Sequence, residues 1–219
     1  MLSKLTKLAS ISCLGVCLSL SAIYPVHAGG DHDAHAHHRE MMKSKKYKVE
    51  RDKQYNIPNV NLVNHYGKSV NLKEMMEGDE PILLQFIFTS CATICPVLSA
   101  TFDSAQDKLV SMNKDYKMIS ISIDPEHDKP SVLRKYAKTW NANQNWQFLT
   151  GTKKDIFDVI KAFDALYGGS NKMYHKPYFY IRPGEKNSWT RIDGMVSSAS
   201  LISEYHSAIS DYKEQQVSE

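Results

Sequence analysis

Cys91 and Cys95 stand four apart in FTSCATICPVLSATF, residues 88–102, where an apolar run gives way to a helical pattern. Two thiols at that spacing can close a disulfide, work as a redox couple or grip one metal ion. A structural staple is poorly placed here, because the unfolded-state entropy that a disulfide removes is least for a short loop. The redox and metal readings stay open. Cys95 falls in the first turn of the predicted helix and Cys91 just before it. A helix N-terminus favours thiolate over thiol, so the position activates the pair for either chemistry.

The flanking pattern predicts what holds these residues. PILLQFIF, 81–88, is a continuous apolar run and reads as a buried strand. From Pro96 onward Leu98, Phe102, Leu109 and Val110 recur at helical spacing. YKMISISI, 116–123, is the next strand, and PSVLRKYAKTW a helix with Pro130 suited to its first turn. NWQFLTG predicts a short strand, KKDIFDVIKAFDALYGG a helix closed by Gly168 and Gly169, PYFYIRPG and SWTRIDGM two strands, and ASLISEYHSAISDYK a final helix. Ahead of these, NIPNVNLVNHYGKSVNL reads as two strands around a turn in which His65 is exposed. Strands alternating with helices predict an α/β fold, a central mixed sheet flanked by helices with an N-terminal strand pair. A dithiol where a strand ends and a helix opens is the thioredoxin-like arrangement, and reactive groups gather at that end of such sheets. His175, just before PYFYI, returns to the same end.

The N-terminus bears on the compartment. Residues 1–28 carry Lys4 and Lys7, no acidic residue, the apolar LASISCLGVCLSLSAIY and then PVHA, the pattern of a secretory signal peptide cleaved after Ala28. An uncleaved membrane anchor is the alternative, which would keep the protein near a membrane. Cys13 and Cys17 then belong to the apolar stretch. Removing Lys4 and Lys7 leaves 25 basic residues against 24 acidic ones, a balance that gives nucleic acid no reason to bind. Residues 29–55, GGDHDAHAHHREMMKSKKYKVERDKQY, have almost no apolar periodicity and read as a flexible leader. His32, His35, His37 and His38, with Met41 and Met42 behind them, make it either a metal collector or a solubilising segment. The folded domain is expected over 56–215.

FTSCATICP, SISIDPEHDKPSVLRKYAKTW, FLTGT and MYHKPYFYIRPG together resemble the Sco/SenC proteins, over roughly residues 55–210. The resemblance implies a thioredoxin-like fold that binds copper and helps to build the dinuclear copper centre of cytochrome c oxidase. It implies Cys91, Cys95 and His175 as copper ligands, a copper-accepting oxidase subunit or another copper protein as partner, and a thioredoxin-like reductant that opens a Cys91–Cys95 disulfide. An exported, periplasmic protein is expected. The chemistry agrees, since thiolates suit Cu(I) and imidazole suits either copper oxidation state. The chain departs from the family at residue 174, where Tyr174 replaces an aspartate that would orient the imidazole. Asp124 and Asp128 match the family's acidic pair; Asp128, just ahead of Pro130, also suits a helix cap. His127 and His206 read as surface residues.

Three functions follow: a copper-delivering assembly factor, which is not an enzyme; a thiol–disulfide oxidoreductase that keeps the target's cysteines reduced; and a peroxidase. The peroxidase needs an activating arginine that the sequence around Cys91 lacks. His175 separates the first two, because copper needs it and disulfide exchange does not.

Overall fold

The structure, a computed structural model, describes residues 47–112, 115–169 and 171–217. The expected signal peptide and the leader histidines lie outside the described residues. The elements in chain order are β1 (Lys48–Lys53), β2 (Asn61–Asn64), β3 (Ser69–Asn71), α1 (Leu72–Met75), β4 (Ile82–Ile87), α2 (Ile94–Met112) and β5 (Lys117–Ser122). They continue with α3 (Pro130–Thr139), β6 (Trp146–Thr150), α4 (Lys153–Ala162), a 3-10 turn (Lys172–Tyr174), β7 (Tyr178–Arg182), β8 (Trp189–Asp193) and α5 (Ser198–Val217).

The strands form one sheet in the order β1-β8-β7-β4-β5-β6-β2-β3. β4, β5 and β6 run parallel, and every other pairing is antiparallel. β4 and β7 are buried along their whole length, as continuous apolar runs in the middle of a covered sheet must be. On one face Phe102 of α2 packs against Phe179 and Trp146, Tyr136 of α3 against Phe148, and α2 against α5. On the other face Phe163, just beyond α4, meets Phe86, Tyr180, Trp189 and Tyr55. The expected mixed sheet with flanking helices is what the chain forms, and β2 and β3 are the expected strand pair.

Two boundaries differ from the expectation. The leader was expected to reach residue 55, yet Lys48–Lys53 is the edge strand β1, and Tyr55 is in the core. β1 carries little apolar alternation because charges hold it: Glu50 lies opposite Arg191 and pairs with its guanidinium, and Arg51 pairs with Glu204 at 2.8 Å. A charged edge strand also resists pairing with other chains. Helix α4 ends at Ala162 rather than at Gly168 and Gly169. Asp164 takes a left-handed φ of 53°, and the Ala165 N–H closes back on the Ile160 carbonyl at 2.9 Å. That is a Schellman cap with aspartate in the usual glycine place. It lets Phe163 turn into the aromatic cluster.

Candidate functional site

β4 delivers Phe88, and the chain turns through Thr89 and Cys91 into the first turn of α2, which holds Cys95. Both cysteines are free thiols; Cys95 is fully buried, and only Cys91 keeps some exposure, 6%. The Cys95 N–H points at the Cys91 sulfur at 3.4 Å, and the Thr93 hydroxyl lies 3.6 Å from it. Burial pushes the Cys91 thiol up, but these N–H groups and the Thr93 hydroxyl outweigh it and hold the thiol below its ordinary value. Cys95 goes the other way: burial pushes it well above the usual thiol range, and the neighbouring Cys91 adds to the shift. The pair is thus split into an activated sulfur with slight exposure and a fully buried one whose thiol form is favoured. Reduced protein treated with iodoacetamide should be labelled at Cys91 at least about tenfold faster than at Cys95. Equal labelling, read by peptide mass spectrometry, would contradict this division.

His175 comes to the pair from the far end of the chain. It follows the 3-10 turn, precedes β7, and is 5% exposed. Its Nε2 lies 3.9 Å from the Cys95 sulfur. Its Nδ1 is buried without a well-formed hydrogen bond among the described residues. Burial lowers the imidazole below its ordinary value, so it is neutral and able to donate a lone pair at neutral pH. Tyr174 is 68% exposed and gives His175 no acidic support. The support comes from elsewhere. The Phe88 ring meets His175 edge-on at 5.4 Å, Lys172 lies over the same ring at 5.3 Å, and Lys172 pairs with Asp124. Asp124 so ties the turn carrying His175 to the loop after β5.

Asp128 anchors the cysteine loop. It is not the helix cap, a role expected from its place before Pro130; Lys129 holds the cap position and makes no side-chain cap bond. Asp128 is wholly buried instead and accepts hydrogen bonds from the Thr89 N–H at 3.1 Å, the Thr89 hydroxyl and the Ser122 hydroxyl. Nothing in the sequence singled out Thr89, Ser122, Lys172 or Phe88 for the site. They become neighbours only when β4, β5 and the 3-10 turn meet.

His65 is corrected. It is 4% exposed, its Nδ1 accepts from the Phe148 N–H at 3.2 Å, and it serves the β2–β6 seam rather than an exposed turn. His127 and His206 are on the surface as expected. A groove of about 490 Å³ runs beside α4, past Asp124 and Lys172, but neither cysteine nor His175 lines it.

The Cys95 sulfur and the imidazole nitrogen, 3.9 Å apart, can share one ion once the thiol proton is displaced. Bonds of about 2.0 Å to nitrogen and 2.3 Å to sulfur, the lengths met in zinc sites, span that gap at an angle of roughly 130°. Among the described residues no group of three or more His, Cys, Asp or Glu is already gathered around an ion position. An ion held by all three side chains therefore requires at least one of them to move.

Known proteins share the family and the fold of this chain. The family model described as SCO1/SenC matches residues 48–210. The SCO1 protein homolog of Bacillus subtilis is 38% identical over 133 residues, 58% of this chain and 68% of that protein. The solved structure of BsSco, reported with a disulfide switch and as a member of the Sco family of cytochrome c oxidase assembly proteins, superposes with a TM-score of 0.60. It is 32% identical, over 72% of this chain and 95% of that one. Arabidopsis thaliana ScoI, solved with copper bound, shares the fold at a TM-score of 0.59 and 24% identity, over 70% of this chain and 96% of that one.

Proposed function

The chain belongs to the SCO1/SenC family, and from that premise we propose that it is an exported copper metallochaperone serving the assembly of a copper enzyme, most plainly cytochrome c oxidase. The observation that carries this reading is the approach of His175 Nε2 to the Cys95 sulfur, 3.9 Å away inside a buried site. Copper is the cargo. Cys91, Cys95 and His175 hold it, and the neutral imidazole beside the Cys95 sulfur fits a soft or borderline ion. Three ligands leave room for a fourth from a partner. The partner's cysteine or histidine side chains then displace the three in turn. Val97, Met173 and Tyr174, each next to a site residue or close to it in the chain, are 46%, 47% and 68% exposed and give the partner an apolar collar to dock on.

The protein reaches its compartment through the N-terminal signal, and the oxidising surroundings there close Cys91 and Cys95 into a disulfide. A thioredoxin-like reductant opens it. Its thiolate attacks one sulfur, a mixed disulfide forms, and its second thiolate releases the dithiol while the reductant becomes oxidised. Among the described residues no helix is long and apolar enough to cross a membrane.

A second reading is thiol–disulfide exchange as the task itself, in which the reduced pair reduces the acceptor's cysteines. The lowered Cys91 thiol favours it. Copper titration tests the first reading. The reduced protein should take one tight equivalent and the oxidised protein none at this site, because thiolate and not disulfide is the ligand. Equal tight binding by both forms would remove Cys91 and Cys95 from the site.

A further inference from the structure

We propose that Lys172 is a positioning residue of the site: held between the Phe88 ring and Asp124, it fixes the direction in which His175 presents Nε2 to the Cys95 sulfur. The inference rests on the copper reading of that site and adds what aims its nitrogen ligand.

The imidazole lacks the usual means of orientation. A ligand histidine is ordinarily aimed by a hydrogen bond at its other ring nitrogen. The Nδ1 of His175 is buried and has no such bond among the described residues. Nor does its backbone come from a well-packed element. The 3-10 turn before it has three residues, and none of them is buried. A turn of that kind is short and its hydrogen bonds are poorly aligned, so it does not hold its own position. Met173 and Tyr174 face solvent. Lys172 is the residue that ties the turn down.

Its ammonium group meets two fixed partners. One is Asp124, whose side chain is only 10% exposed. The other is the Phe88 ring, whose centroid is 5.3 Å away. An ion pair out in water orders little. This one is shielded on the carboxylate side and supplemented by a cation–π contact. The same ring meets the imidazole edge-on, with 71° between the planes. Both partners are anchored to the cysteine loop. The Phe88 N–H points at the Cys95 sulfur at 3.5 Å. The Asp124 N–H donates to the Ser122 hydroxyl at 3.0 Å, that hydroxyl donates to Asp128, and Asp128 accepts from the Thr89 N–H. Lys172 joins the histidine turn to this circuit by its side chain, and its carbonyl accepts from the His175 N–H at 3.1 Å. Without the ammonium group the turn and the imidazole swing, while the cysteines stay in place. Two thiolates suffice for Cu(I), whereas Cu(II) relies on the imidazole. A misaimed ring therefore weakens Cu(II) binding and leaves Cu(I) binding nearly as it was.

The test compares Lys172→Met, which keeps a long stem and drops the charge, with Lys172→Arg, which keeps a cation for the ring and a donor for Asp124. In the copper-free reduced protein, hydrogen exchange of the His175 N–H should be about tenfold faster in Lys172→Met and close to wild type in Lys172→Arg. Lys172→Met should bind Cu(II) roughly tenfold more weakly, the loss expected when a ligand's orienting partner is removed. Its Cu(I) affinity should stay within about twofold of wild type. Lys172→Arg should match wild type for both ions. Asp124→Asn should also weaken Cu(II) binding, and adding it to Lys172→Met should cost nothing more, because the carboxylate acts through the lysine. Wild-type exchange at His175 in Lys172→Met, a Cu(II) loss that arginine does not repair, equal losses of Cu(I) and Cu(II), or additive losses in the double variant would overturn the positioning role. Wild-type protein that binds no tight copper would defeat the copper reading, and the exchange rates would still decide whether Lys172 holds the turn.

Discussion

His175→Ala should lose Cu(II) affinity by roughly a hundredfold or more, since even loss of a residue that only orients a ligand costs ten- to a hundredfold. Any sulfur-to-copper charge-transfer colour should fade with it. Cu(I) affinity should fall less, because two thiolates still suit the softer ion. The dithiol itself should be barely changed. The lowered Cys91 thiol is set by the Cys95 and Thr93 N–H groups, the Thr93 hydroxyl and the Cys95 side chain, which together outweigh burial. The disulfide potential should stay within roughly 30 mV of wild type. Cells carrying His175→Ala should then resemble cells carrying Cys91→Ser in failing to mature their copper oxidase. Full oxidase activity in the His175→Ala strain at limiting copper would defeat the chaperone reading and promote the reductase. The imidazole also sets a pH signature. Its folded value lies below the ordinary 6.5, through burial first and despite the Lys172 carbonyl. Above pH 6.5 it is neutral in both states and contributes nothing. As pH falls through 6.5 the unfolded chain takes the proton first, so wild-type stability declines, and His175→Ala should lack that component.

Asp128→Asn should destabilise the protein by about 3 kcal/mol, a figure set by leaving buried donors without their charged acceptor. The carboxylate serves the Thr89 N–H, the Thr89 hydroxyl and the Ser122 hydroxyl. The amide matches its shape but has only one acceptor oxygen, so its NH₂ group must face donors. For a domain of this size the loss corresponds to a fall in Tm of roughly 6–12 °C. Because Thr89 belongs to the loop that carries Cys91, the damage should reach the site as well. Cys95, which faces the Asp128 charge, should be the cysteine whose exchange rate rises most. Thermal melts and thiol labelling of the same preparation check both parts. An unchanged Tm would show that Asp128 does not anchor the loop.

The sequence alone determined the pattern of the core and the identity of the reactive groups. The runs PILLQFIF and YKMISISI read as strands, and their alternation with helices points to a sheet flanked by helices. Cys91 and Cys95 were legible because four residues of chain hold them together whatever the fold. The place of β1 was not legible. KVERDK has no alternating apolar face, and its partners Arg191 and Glu204 lie more than 140 residues away. The same holds for the supports of the site. Asp128 looked like a local cap because sequence reveals near neighbours, whereas its donors sit on β5 and in the loop after β4. His65 looked exposed because a turn is usually wet, and only the pairing of β2 with β6 buries it. Tertiary structure decided which cysteine is the more deeply buried and what steadies His175 in the absence of an acidic neighbour. Each of these depends on a contact between distant parts of the chain, which residue spacing does not record.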